Sequence, residues 1–211
     1  MQPAREELLD NAFSLKGRWR QDHFKNDQPI VLELGCGKGE YSIHLAEKFP
    51  DKNFIGVDIK GARFWRGAKT AIEESLSNVA FLRTQIELIV HCFAPGEIDE
   101  IWITFPDPQY KFRRKHHRLT NPTFLRSYQQ VLQPEGVVHL KTDAAFLHGY
   151  TLGVLDGWDI KPLMAHHDIY QYVHAPADVI GIQTFYEQQY REKGTPITYL
   201  KFSFPTDAAT K

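Results

Sequence analysis

The chain has 211 residues, 42% hydrophobic and 24% charged, which is enough for one α/β domain with a full core and too apolar for a disordered chain. Its net charge of −1 means that the protein as a whole does not attract polyanions, so a nucleic-acid partner requires positive charge gathered locally. No apolar run approaches the ~20 residues of a membrane span, the polar start 1–7 lacks a signal peptide's apolar stretch, and Cys36 and Cys92 form neither a disulfide framework nor metal-ligand spacing. A reduced, cytoplasmic setting is therefore expected.

Residues 5–25 read as an amphipathic helix with a basic-polar lead-in. A regular alternation follows. Ile30 to Leu34 is an apolar run ending in glycines, as a buried strand does. Tyr41 to Phe49 has helical spacing and stops at Pro50. Asn53 to Val57 predicts a second strand, Ala62 to Leu76 a helix, and Val79 to Leu82 a third strand. Ile98 to Ile103 predicts the fourth, Phe124 to Leu132 a helix, and Gly136 to Leu140 the fifth. Trp158 to Ile160 and Thr198 to Phe202 read as two late strands, separated by a loop over 170–180 and a helix ending near Gly194. Such alternation implies a mostly parallel sheet covered on both faces, in a single domain.

Two places concentrate chemistry. After the first strand, Glu33-Leu34-Gly35-Cys36-Gly37-Lys38-Gly39 makes a tight turn that lets a ligand approach bare backbone. The spacing is G-x-G-x-G, with Glu40 where dinucleotide enzymes carry a last glycine, which disfavours an NAD-dependent oxidoreductase. An acid beside the turn suits a ligand with an ammonium and a sulfonium but no pyrophosphate, as S-adenosylmethionine has. Asp58 ends the second strand, where a carboxylate can accept both ribose hydroxyls.

The second place is the end of the fourth strand, Phe105-Pro106-Asp107-Pro108, where two prolines fix the backbone around one carboxylate. Directly after it, residues 111–118 carry five Lys/Arg, two His and no acid. Such a patch binds phosphates by releasing counterions, and Tyr110 and Phe112 add stacking surfaces for an unpaired base.

These residues, together with Gly56-Val57-Asp58, Lys141-Thr142-Asp143 and Thr184-Phe185-Tyr186-Glu187, resemble the bacterial-type tRNA (guanine-N7)-methyltransferase family over about residues 28 to 203. The resemblance implies a Rossmann-like class I methyltransferase, with a mostly parallel seven-stranded sheet and helices on both faces. It divides the chain into a lead-in, 1–27, and a catalytic core, 28–203. It assigns S-adenosylmethionine to Glu33, Gly35, Gly37, Asp58, Gln85 and Asp107, with Asp107 also the catalytic residue. It assigns substrate contacts to Lys111, Asp143, Thr184, Phe185, Tyr186 and Glu187, and RNA contacts to Arg113, Arg114, Lys115, His116, His117 and Arg118. The implied partner is tRNA, with the target guanine in the variable loop, and the implied assembly is a monomer or homodimer. The chain departs from the family pattern at Gln85, Gln109-Tyr110 and Phe185.

Guanine N7 carries a lone pair and no proton, so its attack on a sulfonium methyl needs alignment more than a base. The product is cationic, and a carboxylate beside it stabilises that charge. Asp107 fits this role, by its field or by holding the guanine N1 and N2 donors, with Asp143 and Glu187 as candidates to share the second task. The histidines lack ligand spacing, and no metal is expected. Two other readings stand beside this one: a methyltransferase acting on another base, and a silent RNA-binding module on the same fold. The first prefers an aromatic directly after the second proline, where this chain has Gln109. The second would lose the acids and glycines of the cofactor turn.

Overall fold

The computed structural model describes residues 13–205. It contains strands β1 (Ile30–Leu34), β2 (Asn53–Asp58), β3 (Val79–Arg83), β4 (Ile98–Thr104), β5 (Leu132–Thr142), β6 (Met164–His166) and β7 (Thr198–Ser203). Helices α1 (Glu40–Lys48), α2 (Gly61–Glu73), α3 (Ile89–Cys92), α4 (Pro122–Val131), α5 (Ala145–Asp156), α6 (Ala177–Ile180) and α7 (Phe185–Glu192) connect them, with short 3-10 turns between.

The seven strands form one sheet in the order β3-β2-β1-β4-β5-β7-β6. β1 to β5 run parallel, whereas β7 is antiparallel to both β5 and β6. β1 and β2 are buried along their whole length, which is why they read as unbroken apolar runs rather than alternating ones. The order in which strands are added reverses between β1 and β4, and their carboxyl ends therefore open the crevice in which such sheets bind ligands. One core packs Trp19, Leu32, Ile55, Phe93 and Tyr128 together; a second, on the other face, holds Tyr41, Trp102, Ile169 and Tyr199.

Local chemistry explains the helix starts nearest the crevice. The Asn121 side chain accepts from the Thr123 and Phe124 amides, and Pro122 occupies the first helical position of α4. The Thr184 hydroxyl accepts from the Glu187 amide and so begins α7.

Three expectations change. Trp158 to Ile160 is not a strand: it is the turn that ends α5, with Asp159 at φ 55°, and the sixth strand lies at Met164–His166. Its parent helix has two internal glycines and no polar stripe, so its period is hidden in the sequence. The 170–180 segment is not a plain loop, since a 3-10 turn (Ile169–Gln171) and α6 occupy it. Of the predicted N-terminal helix, 5–25, residues 1–12 lie outside the described residues, and the rest ends in a π-helical turn at Trp19–Phe24.

Candidate active site

The glycine-rich turn is closed by its own backbone: the Gly35 and Cys36 amides donate to the Val57 carbonyl at 2.8 and 3.1 Å. Gly37 and Gly39 take φ of 56° and 76°, a region that L side chains rarely adopt. Space reinforces the choice at Gly39, where a Cβ would lie 2.5 Å from the Phe81 ring. The same ring excludes a Cβ at Gly56 and Gly67, so Phe81 seats the turn, β2 and α2 against one another.

The carboxylates divide the work. Asp58 accepts from the Gly37 amide at 3.1 Å and the Lys60 amide at 2.8 Å, which orients it at the end of β2. Glu33 lies beneath the turn and is 3% exposed. One of its oxygens accepts from the Ser42 hydroxyl at 2.5 Å, the other from the Thr104 hydroxyl at 2.6 Å. Burial pushes its carboxyl up to about 7, against the opposing pull of those two hydroxyls, with the charge of Asp58 adding to the rise.

A cavity of about 410 Å³ opens above these groups, within the range of small-ligand sites. Gly35, Asp58, Gln85, Asp107, Gln109 and His117 line it. Four of the six residues expected to hold the cofactor therefore share one wall system, and Gly37 joins them through Asp58. Glu33 is placed under the floor rather than on the wall. The donor set fits a nucleoside with a cationic tail: an oriented carboxylate for ribose hydroxyls, glycine backbone and an exposed amide at Gln85, with Lys60 and Arg63 also on the wall. A larger cavity, about 800 Å³, lies behind α2 against β3, walled by apolar side chains such as Trp19, Phe64 and Ile72 and by no acid. It shares no lining residue with the smaller cavity.

At the end of β4 the backbone is strained on both sides of Asp107, with Phe105 at φ 47° and Gln109 at φ 49°. The Asp107 carboxylate is exposed and accepts only from the Gln109 amide, at 3.0 Å, among the described residues. The basic run that follows is a 3-10 helix, Phe112–His117, rather than an irregular loop. Lys111, Arg113, Arg114, Lys115, His116 and His117 are all exposed.

Arg118 differs from its neighbours. It is 5% exposed, donates twice to the Gln109 carbonyl at 3.1 and 3.2 Å, and stacks on Phe146 and Tyr150. Its place is therefore behind the Asp107 loop, holding Gln109, while the rest of the basic run is exposed.

Glu187 is also placed inside. It is fully buried, 2.6 Å from the Lys141 ammonium and 2.7 Å from the Tyr170 hydroxyl. Lys141, equally buried at the end of β5, further donates to the carbonyls of Val179 and Ile182. A charged lysine in the interior needs such partners, which is why the carboxylate turns inward instead of toward a guanine. Thr184, Phe185 and Tyr186 remain at the surface. The Phe185 amide donates to Glu40, and Lys38 lies 5.3 Å from the Phe185 ring and 5.9 Å from the Tyr186 ring, so this segment leans on the glycine-rich turn.

Asp143 is half-buried, and desolvation raises its carboxyl. Its charge is the main reason that the Tyr190 hydroxyl is raised, and Tyr190 stacks on Phe105. Ser42, Thr104 and Tyr190 escaped the sequence reading, and Phe105 and Lys141 appeared there only inside motifs, without a role of their own. Among the described residues no three His, Cys, Asp or Glu side chains are grouped to hold a metal.

A family model described as putative methyltransferase matches residues 27–200. A tRNA (guanine-N(7)-)-methyltransferase of Christiangramia forsetii is 66% identical over 96% of this chain and 90% of its own length. One of Porphyromonas gingivalis is 52% identical over 92% of this chain and 78% of its own. The solved 16S rRNA methyltransferase KamB superposes with a TM-score of 0.63 over 97% of this chain and 96% of its own, at 14% identity, a likeness of fold alone. With the model spanning most of the chain and relatives this similar over nearly all of it, the chain belongs to the tRNA (guanine-N7)-methyltransferase family.

Proposed function

We propose that this enzyme transfers a methyl group from S-adenosylmethionine to N7 of a guanine in tRNA, and that the guanine lies in the variable loop. The observation that carries the reading is the position of Asp107: an exposed carboxylate on the rim of the cavity that also holds Asp58, followed at once by an exposed basic helix. The 66% identical relative supports the choice of base and of RNA.

When bound, S-adenosylmethionine supplies an electrophilic methyl on a sulfonium. Asp58 would hold the ribose, Gln85 the base edge, and the Gly35–Gly37 backbone the amino-acid end, with Glu33 contributing negative charge from below. No residue has to remove a proton from N7, so the chain's contribution is alignment and charge. Alignment of two reactants is worth up to ~7–11 kcal/mol. Asp107, fixed by the Gln109 amide and by strained backbone on either side, offsets the positive charge that develops on the purine. Asp143, Phe105 and Tyr190 cluster beside the Asp107 loop and would contact the guanine, while Lys111 and 113–117 would hold the phosphates. Among the described residues no helix is long and apolar enough to cross a membrane, in keeping with work on tRNA in the cytoplasm.

The test is direct. Purified protein is incubated with unmodified tRNA and methyl-labelled cofactor, and the product is digested and mapped. One 7-methylguanosine per tRNA, in the variable loop, is expected. Label in N6-methyladenosine, or none, overturns the reading.

A further inference from the structure

Helix α2 carries a feature that neither the family motifs nor the basic run accounts for. From Lys60 to Lys69 there are four Lys/Arg and no acid, in a protein of net charge −1. Lys60, Arg63, Arg66 and Lys69 are all exposed. The charged groups of Lys60, Arg63 and Arg66 have no hydrogen bond or ion pair among the described residues, whereas Arg20, Lys52, Arg118 and Lys141 are all engaged within the fold. Lys69 is shared between Glu73 at 3.5 Å and the ring of Trp65.

Trp65 stands among these cations and is 65% exposed, while Trp19 and Trp102 are buried and Trp158 is half-buried. A large aromatic left in water next to unpaired cations is what single-stranded nucleic acid requires, a stacking platform beside phosphate contacts. The platform is rigid. At Gly67 a Cβ would lie 2.8 Å from the Lys38 carbonyl and 2.8 Å from the Phe81 ring, so the helix backbone rests directly on the glycine-rich turn. It is also continuous with the site: Lys60 and Arg63, which follow β2, line the cofactor cavity together with Gln109 and His117, which follow β4, and β1 lies between those two strands.

We infer that the outer face of α2, through Lys60, Arg63, Trp65, Arg66 and Lys69, is a second tRNA-binding surface, so that RNA is gripped on both sides of the cofactor cavity. This rests on the tRNA reading above. The cations engage backbone phosphates, and Trp65 stacks on an unpaired base.

The test uses Arg66→Glu and Trp65→Ala in the full chain, neither of which lines the cavity, with an unmodified tRNA transcript as the probe. Arg66→Glu is expected to bind tRNA about 10-fold more weakly near 0.1 M salt, with the slope of log affinity against log salt shallower by about one or more. Trp65→Ala is expected to lose about 5-fold with little change in slope. In the native protein, tRNA should quench the emission of Trp65, identified by its absence from Trp65→Ala. Binding of S-adenosylhomocysteine and the melting temperature serve as the check on folding. Affinity within twofold of wild type for both variants, with wild type still forming 7-methylguanosine in tRNA, overturns the second surface alone. Loss of that product in wild type overturns the reading beneath it as well. Trp65 emission that responds to anionic lipid vesicles and not to tRNA assigns the face to a membrane and overturns the inference.

Discussion

On the β1–β2 side of the cleft the carboxylates are spoken for inside the chain. Glu33 accepts from Ser42 and Thr104, and Asp58 accepts from the amides of Gly37 and Lys60. On the β4 side Asp107 has one local amide, and the groups around it face water. The difference follows from what each side receives. A small ligand of fixed shape is best met by groups already oriented and desolvated, whereas a large polyanion is met by flexible cations that are solvated until it arrives. The C-terminal segment belongs to both designs: Phe185 and Tyr186 are exposed and Thr184 is half-buried, yet the segment is anchored from below by the Lys141–Glu187 pair.

The largest expected effect breaks that anchor. Lys141→Met leaves Glu187 buried without its cation, and removing one member of a buried pair costs about 3–5 kcal/mol. Denaturant unfolding should show this loss, and Lys141→Met with Glu187→Gln should recover part of it. If the double variant is no more stable than the single one, the pair is not what holds the segment. Next in size is Asp107→Ala, for which kcat should fall about 10²- to 10³-fold, as expected for a lost electrostatic group in a transition state. Since the side chain is exposed and bonded only to Gln109, its melting temperature should stay close to wild type. Turnover near the wild-type rate would remove Asp107 from the chemistry.

The same contrast governs what the sequence made readable. Glu33, Gly35, Gly37 and Asp58 lie at strand ends next to glycines, so local order alone placed them, and the 410 Å³ cavity gathers Gly35 and Asp58 with Asp107, Gly37 being bonded to Asp58. Arg118 and Glu187 are more deeply buried than their motifs suggest, for one reason. Whether a charged side chain faces water or the interior depends on partners far along the chain, here Phe146 and Tyr150 for one and Lys141 and Tyr170 for the other. Neither partner set is visible in the motif itself. The strand misread at Trp158 to Ile160 shows the same limit for backbone: aromatic and branched residues suggested extension, but Gly157 and the left-handed Asp159 end a helix there.

Glu33 gives the smallest predicted change and the one that separates the two sides most cleanly. Its folded carboxyl is raised from an ordinary 4.5 to about 7, chiefly by burial. A carboxyl raised on folding contributes stability that is fully present below its unfolded value and is lost as pH climbs through the folded one. Between about pH 4.5 and 7 the folded chain thus holds a proton that the unfolded chain has released, and above pH 7 it must bear a buried charge. Glu33→Gln removes that burden while keeping partners for Ser42 and Thr104. The variant should match wild type near pH 4.5 and exceed it above pH 7 by on the order of 1–3 kcal/mol. Above pH 7 its affinity for S-adenosylmethionine should fall about 10-fold, because the negative charge beneath the sulfonium and ammonium is gone. Melting temperatures across that pH range, with and without ligand, measure both. A stability difference that does not grow with pH would mean that Glu33 is ionised in the folded chain without cost, and the floor of the cofactor site would then be as solvated as its mouth.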